Sequence, residues 1–175
     1  MTDKYYITTP IYYVNDKPHI GHAYTSVATD FIARFMRLKG HDVRFQTGTD
    51  EHGLKIQKAA ESKGKEPLEL CDENSRIFRD LTTTLDLSND DFIRTTEQRH
   101  IDGASFLWNR LHERNQIYLG EYTGWYSIND ETFYNEKDLV KQSDGSFKTV
   151  TGGPVDWITE KSYFFKLSEW SDKLL

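Results

Sequence analysis

Aromatic and β-branched residues crowd the stretch from Lys4 to Pro10, where Tyr5, Tyr6, Ile7 and Thr8 predict a first buried strand closed by Pro10. Asn15, Asp16 and Pro18 are turn formers and make 11–18 a loop. From about Gly21 the apolar period lengthens: Ala23, Val27, Phe31, Ile32, Phe35 and Leu38 fall on one broad helical face, and Gly40 is the expected stop. Val43 to Thr47 is a second strand, so strand, helix and strand fit a right-handed parallel unit. Gly48-Thr49-Asp50-Glu51-His52-Gly53 follows at that strand's C-terminal end. A short helix from about Leu54 to Ser62 carries Leu54, Ile56 and Ala59 as apolar contacts, and Pro67 opens another that runs to Leu85. Phe92 to Thr96 is a third strand, and Glu97 to Arg114 a helix with Ile101, Ala104, Leu107, Trp108 and Leu111 inward.

After Asn115 the character shifts. Ile117-Tyr118-Leu119 and Gly124 to Ile128 are separated by Gly and Thr, and Thr132-Phe133-Tyr134 follows, which predicts a small antiparallel unit rich in Tyr, Trp and Phe. Residues 141–153 read as a polar turn region, and a helix starts at Leu167.

Composition narrows the class. The 175 residues are enough for one sizeable core and a smaller appended unit. No apolar run approaches the roughly 20 residues of a membrane span, and the first residues lack the basic and apolar segments of a signal peptide, so a cytoplasmic location is the default expectation. Cys71 is the single cysteine, which excludes an internal disulfide and a cysteine-based zinc knuckle. A net charge of −6 argues against binding nucleic acid through bulk positive field.

The chemistry concentrates at Pro18-His19-Ile20-Gly21-His22, between the first strand and the first helix. A helix N-terminus offers unsatisfied N–H groups and partial positive charge, which attract phosphate. Gly21 lets a ligand approach the backbone, and His19 and His22, three residues apart, project to the same side. Their ring N–H groups suit a triphosphate, and suit better the charge that builds up in a transition state. A metal site with His52 as third ligand is the competing use of the pair, although helical metal pairs more often stand four residues apart. Asp50 stands at the strand edge where open α/β sheets bind ligands; holding a substrate ammonium group and capping the helix that begins at Leu54 are equally consistent readings of it.

Thr9-Pro10-Ile11-Tyr12-Tyr13-Val14-Asn15, Pro18 to His22 and Gly48 to Gly53 together closely resemble the N-terminal half of the methionyl-tRNA synthetase family. The His-Ile-Gly-His segment resembles the class I aminoacyl-tRNA synthetase signature, and Gly-Thr-Asp-Glu-His-Gly at this spacing points to methionine. The resemblance runs through Gly124-Trp125-Tyr126 and Glu160 to Phe165, which look like the family's connective insertion. It implies an α/β fold: the N-terminal half of a Rossmann-like nucleotide-binding domain over 1–115, a parallel sheet with helices, then part of a small β-rich insertion over 116–175. It implies that His19 and His22 stabilise the triphosphate, with Gly21 and Asn15 beside the nucleotide. Asp50 would take the methionine ammonium with the backbone of Ile11, and Tyr13 would line the methionine pocket. The implied partners are L-methionine, ATP with Mg2+ and tRNA(Met), and the implied reaction is adenylate formation followed by transfer to tRNA.

Two departures from the family pattern stand out. Where many members carry a cysteine pair after Gly-Trp-Tyr this chain has Ser127 and Asp130, and a later pair would fall near Lys148 and Thr151, so it resembles the zinc-free branch. The family's Lys-Met-Ser-Lys-Ser loop occurs nowhere in the sequence. The expectation is therefore a fragment that is inactive alone, with an exposed edge strand and an uncovered apolar face. A truncated paralogue acting as a binding or regulatory module, or another His-x-Gly-His nucleotidyltransferase, are the alternatives.

Overall fold

A computed structural model describes residues 3–175. They divide into two compact units, the first reaching Ala104 and the second running from Ser105 to Leu175. The first unit is built on a parallel sheet whose spine is β3 (Asp42–Asp50). Along one side of β3 lie β1 (Lys4–Thr8), from Lys4 opposite Asp42 to Thr8 opposite Gln46, and β2 (Tyr12–Tyr13), opposite Thr49 and Asp50. Along the other side lies β4 (Asp91–Arg94), opposite Gln46 to Thr49. Gln46 and Thr49 have partners on both sides, so β1 and β2 form one interrupted edge, broken where Pro10 has no N–H to give.

The helices are α1 (Ile20–Leu38), α2 (Leu54–Ser62), α3 (Pro67–Thr84) and α4 (Gln98–Glu113). Tyr12, Val14, Ile56, Cys71, Phe78 and Phe92 form the buried cluster that joins β2, α2, α3 and β4.

Local expectations are corrected at several points. The predicted loop 11–18 contains β2, a strand too short to show a period. The second strand runs on from Thr47 to Asp50, because pairing on both sides buries Thr47, Gly48 and Thr49 whatever their polarity. At Gly48 a Cβ would run into the backbone carbonyl of Ile93, so only glycine admits β4 at this distance.

A further correction concerns α1, which turns its polar side to the fold. Ser26, Thr29, Asp30 and Ala33 are buried, while Val27, Phe31, Ile32, Phe35 and Leu38 stand exposed. The reason is a polar latch to the segment before β4. Asp30 accepts from the Ser88 N–H (2.7 Å), the Ser88 hydroxyl (2.5 Å) and Arg34 Nε (2.7 Å). Arg37 donates to Ser88 and to Asp90, and Asp90 in turn accepts from the Phe45 N–H at 2.7 Å. Burial pushes the Asp30 carboxyl up, but the Ser88 and Arg34 donors outweigh it and hold the group below its ordinary value. In α4 no residue is buried, so Ile101, Leu107 and Trp108 are exposed rather than inward.

The second unit is organised by one long antiparallel pair, β5 (Ile117–Ser127) with β9 (Asp156–Phe165), in register from Ile117 opposite Phe165 to Tyr126 opposite Asp156. A short β6 (Thr132–Tyr134) pairs with the end of β5, and β7 (Val140–Lys141) with β8 (Phe147–Lys148). The glycines that suggested a break in β5 are interior to it: Phe164 packs over Gly120 and Phe133 over Gly124, where a Cβ would come within 3.0 Å and 3.2 Å of the rings. The chain then ends in a short 3-10 turn (Leu167–Trp170) and α5 (Ser171–Leu174).

A buried ion pair ties the C-terminal ends of β3 and β4 together. Glu51, whose side chain is fully buried, accepts from Arg94 Nε at 2.7 Å and Nη2 at 2.9 Å, from Thr49 Oγ1 at 2.7 Å and from Thr96 Oγ1 at 2.5 Å. Arg94 also reaches Asp72 on α3 at 2.6 Å. Removing one member of such a pair strands a buried charge. Glu51→Ala is therefore expected to lower the unfolding free energy by about 3–5 kcal/mol, read from urea titration.

Candidate functional site

Two imidazoles close the N-terminus of α1 on themselves. His19 is the N-cap residue, in extended conformation, and its Nδ1 accepts the Gly21 N–H at 3.1 Å. His22 sits in the first turn, and its Nδ1 accepts the His19 N–H at 3.0 Å. These two bonds form a reciprocal capping box made of histidines. The rings lie 3.9 Å apart between centroids.

A backbone N–H can pair only with an unprotonated ring nitrogen. Each neutral ring therefore carries its proton on Nε2, on the side away from the helix backbone. The pair offers two N–H donors and no acceptor. Gly21 has a role beyond ligand approach: a Cβ there would stand 2.9 Å from His19 Cε1 and 3.0 Å from Nδ1, so any side chain would displace the His19 ring.

His22 is half-buried and His19 exposed. Burial, then the neighbouring His19 ring, hold the His22 imidazole below its ordinary value near 6.5.

The rings open on a cleft of about 350 Å³ lined by Ile11, Tyr12, Tyr13, Asn15, Asp16, Lys17, His19 and His22. Five of the residues singled out in the sequence, Ile11, Tyr13, Asn15, His19 and His22, thus face one space. Gly21 lies beneath the His19 ring, and Asp50 stands opposite Tyr13 across the β2–β3 ladder. The Asp50 carboxylate is half-buried and has no hydrogen-bond or ion-pair partner among the described residues. The capping alternative for Asp50 falls away, because α2 is capped by Gly53 without a side-chain bond.

His52, the third member of the metal reading, donates Nε2–H to the Thr95 carbonyl at 3.3 Å. Among the described residues no three His, Cys, Asp or Glu side chains converge. The Cys71 thiol is buried and pushed up to about 11, by burial and then by the Glu51 charge, which keeps it protonated at neutral pH. In the second unit Ser127 Oγ donates to Asp130 Oδ2 at 2.8 Å and accepts from the Asp130 N–H at 3.3 Å. The Thr149 hydroxyl accepts the Gly153 N–H at 3.0 Å.

Sequence reasoning passed over four residues that shape this edge: Tyr12, Phe78, Glu51 and Arg94. Phe78 left only the signal of apolar periodicity, Tyr12 stands in a stretch too short to show a period, and Glu51 and Arg94 left only the signal of charge.

The sequence model of the family described as "tRNA synthetases class I (M)" matches residues 5–143. The chain belongs to this class I synthetase family. It is 57% identical to the methionine-tRNA ligase of Rickettsia conorii over 175 residues, all of this chain and 34% of that protein. It is 52% identical to that of Mesorhizobium japonicum over 173 residues, 99% of this chain and 34% of that protein. The solved structure of Mycobacterium tuberculosis methionyl-tRNA synthetase in complex with methionyl-adenylate is similar with a TM-score of 0.89 at 48% identity, over 99% of this chain and 34% of the other. The α/β architecture, a parallel sheet with helices, is thus that of the family's Rossmann-like catalytic domain. The chain spans about a third of the length of the relatives it matches. No helix among the described residues is long and apolar enough to cross a membrane.

Because the fold lowers the affinity of His22 for its proton, the unfolded chain takes up that proton first as pH falls below 6.5. Stability is expected to rise with pH through the window just below that value and to level off above it. Urea midpoints measured between about pH 5 and 8 check this, and the rise attributable to His22 is expected to vanish in His22→Asn.

Proposed function

We propose that the chain supplies the methionine-activating site of a methionine-tRNA ligase. In this reading a methionine carboxylate oxygen attacks the α-phosphorus of ATP, the bond to the bridging oxygen breaks, and pyrophosphate leaves with that electron pair. The methionyl group then passes from the adenylate to tRNA(Met). The observation that carries the reading is the pair of Nε2–H donors on His19 and His22 at the opening of α1.

Charge on the triphosphate grows as the α-phosphate becomes five-coordinate, and donors fixed in advance favour that state more than the ground state. The substrate is ATP with its Mg2+, and no residue of this chain need act as a nucleophile. Gly21 and Asn15 lie beside the nucleotide in this scheme. Asp50, a half-buried carboxylate without a partner of its own, holds the methionine ammonium together with the Ile11 backbone. Tyr13 offers a ring face to the thioether, a favourable contact for polarisable sulfur.

The methionyl-adenylate bound by the similar mycobacterial synthetase supports the same chemistry. In this reading the protein works in the cytoplasm, the default for a chain whose first residues lack the basic and apolar segments of a signal peptide.

Zinc has no part in this reading. Ser127 and Asp130 bond to each other where cysteines would be required, and at the later positions, near Lys148 and Thr151, the Thr151 hydroxyl is hydrogen-bonded to that of Thr149 at 2.8 Å. Metal analysis of purified protein is expected to find no stoichiometric zinc, and one tightly bound equivalent would overturn that.

In the full-length synthetase Asp50→Ala is expected to weaken methionine binding at least about 30-fold by calorimetry, the equivalent of ~2 kcal/mol for losing one partner of a desolvated charge pair. Unchanged affinity would remove Asp50 from the ammonium site.

A further inference from the structure

The capping box fixes one nitrogen of each imidazole, but a single hydrogen bond leaves a ring free to swing about it. His19 is exposed, and among the described residues the only ring that meets it is that of His22. His22 is different, because aromatic rings from two other elements bear on it. Tyr12 of β2 meets it edge to face at 4.8 Å between centroids with an interplanar angle of 69°. Phe78 of α3 meets it edge to face at 5.1 Å and 78°. Tyr12 and Phe78 are themselves stacked at 5.7 Å and 24°.

The clamp is anchored at both ends. Phe78 is 2% exposed and belongs to the buried cluster with Tyr12, Val14 and Phe92. The Tyr12 hydroxyl hydrogen-bonds Ser26 Oγ at 3.0 Å, which locks β2 to α1 one turn beyond His22. Edge-to-face ring pairs of this kind are favourable beyond the area they bury. Two of them from different elements fix the plane of the His22 ring, and the bond from the His19 N–H to Nδ1 selects which edge faces the helix.

We propose that Tyr12 and Phe78 are the positioning residues of His22. They clamp its imidazole so that Nδ1 stays on the His19 N–H and the Nε2–H donor stays aimed at the cleft. The catalytic meaning of the clamp rests on the activation reading above, whereas the clamp itself is a statement about one ring and its proton. It makes the two histidines unequal: His22 is the rigid donor, placed before substrate arrives, and His19 is the adaptable one. Among the described residues the groups that bear on His22 are the His19 ring on its own helix, the Tyr12 phenol from β2, and Asp16 and Lys17, which line the same cleft; α3 presents the apolar Phe78.

Nitrogen NMR of protein labelled with 15N-histidine tests this without any turnover, so its outcome is separable from the activation reading. In the unaltered protein His22 is expected to show an unprotonated Nδ1, a protonated Nε2, and cross-relaxation from its ring protons to both the Tyr12 and Phe78 rings. Tyr12→Leu and Phe78→Leu, each removing one ring while keeping an apolar side chain, are expected to make the Nδ1–H tautomer of His22 detectable and to raise its titration midpoint. His19 is expected to change less. Tyr12→Phe keeps the ring and is expected to keep the tautomer. The proposal is overturned if the unaltered protein shows mixed His22 tautomers or lacks contacts to either ring. It is equally overturned if a folded ring-deleted variant keeps the original tautomer and midpoint.

Discussion

The reciprocal bonds between His19 and His22 at the start of α1 are the interaction on which the rest of the site depends. A helix needs its first N–H groups satisfied, and this one satisfies two of them with imidazole nitrogens rather than with a hydroxyl or carboxylate. The choice settles the ring chemistry. An Asp cap would present negative charge to a phosphate, and a Ser cap would exhaust its short side chain in the cap. An imidazole alone has a second nitrogen on its far side, so one side chain both caps the helix and offers a donor. Gly21 between them is the steric condition for this, since the His19 ring occupies the volume a Cβ would need.

The remainder of the first unit holds that helix end against the edge of the sheet. The Asp30 and Arg37 latch fixes α1 by its polar side to the segment that leads into β4. The Tyr12 to Ser26 bond fixes it to β2, and β2 in turn sets Tyr13 opposite Asp50. Beyond Asp50 the Glu51 to Arg94 pair ties β3 to β4 and, through Asp72, to α3, which carries Phe78. The Gly-Thr-Asp-Glu-His-Gly segment is thus a strand end in which alternate residues do different work. Thr49 and Glu51 are buried in the clasp, while Asp50 is left half-buried and unpartnered.

Much of this was legible in the sequence, for reasons that show in particular residues. The pattern of the parallel strands and α1 to α3 is strong, and the pair of histidines beside Gly21 announces a helix opening. The inward face of α1 was not legible, because periodicity marks where apolar residues lie and not which side the fold uses; the Asp30 to Ser88 bonds span 58 residues. β2 was too short to see, and β5 looked broken because Gly120 and Gly124 read as punctuation when they make room for Phe164 and Phe133. β9 mixes Glu160 and Lys161 into its middle and so shows no clean alternation. Tyr12 and Phe78 carry no local sign of their role, since nothing local distinguishes an aromatic that packs on a core from one that packs on a functional ring.

The central claim is that the donor atom facing the triphosphate is Nε2 of His22. Glutamine carries its amide nitrogen near the position of imidazole Nε2, and asparagine carries its own near Nδ1. Methionine-dependent exchange of pyrophosphate into ATP, measured in the full-length synthetase, therefore separates the two nitrogens. His22→Asn is expected to lose on the order of 100-fold in kcat, the loss typical of removing one transition-state donor, and His22→Gln to retain distinctly more. Equal activities, or more exchange with Asn than with Gln, would contradict it.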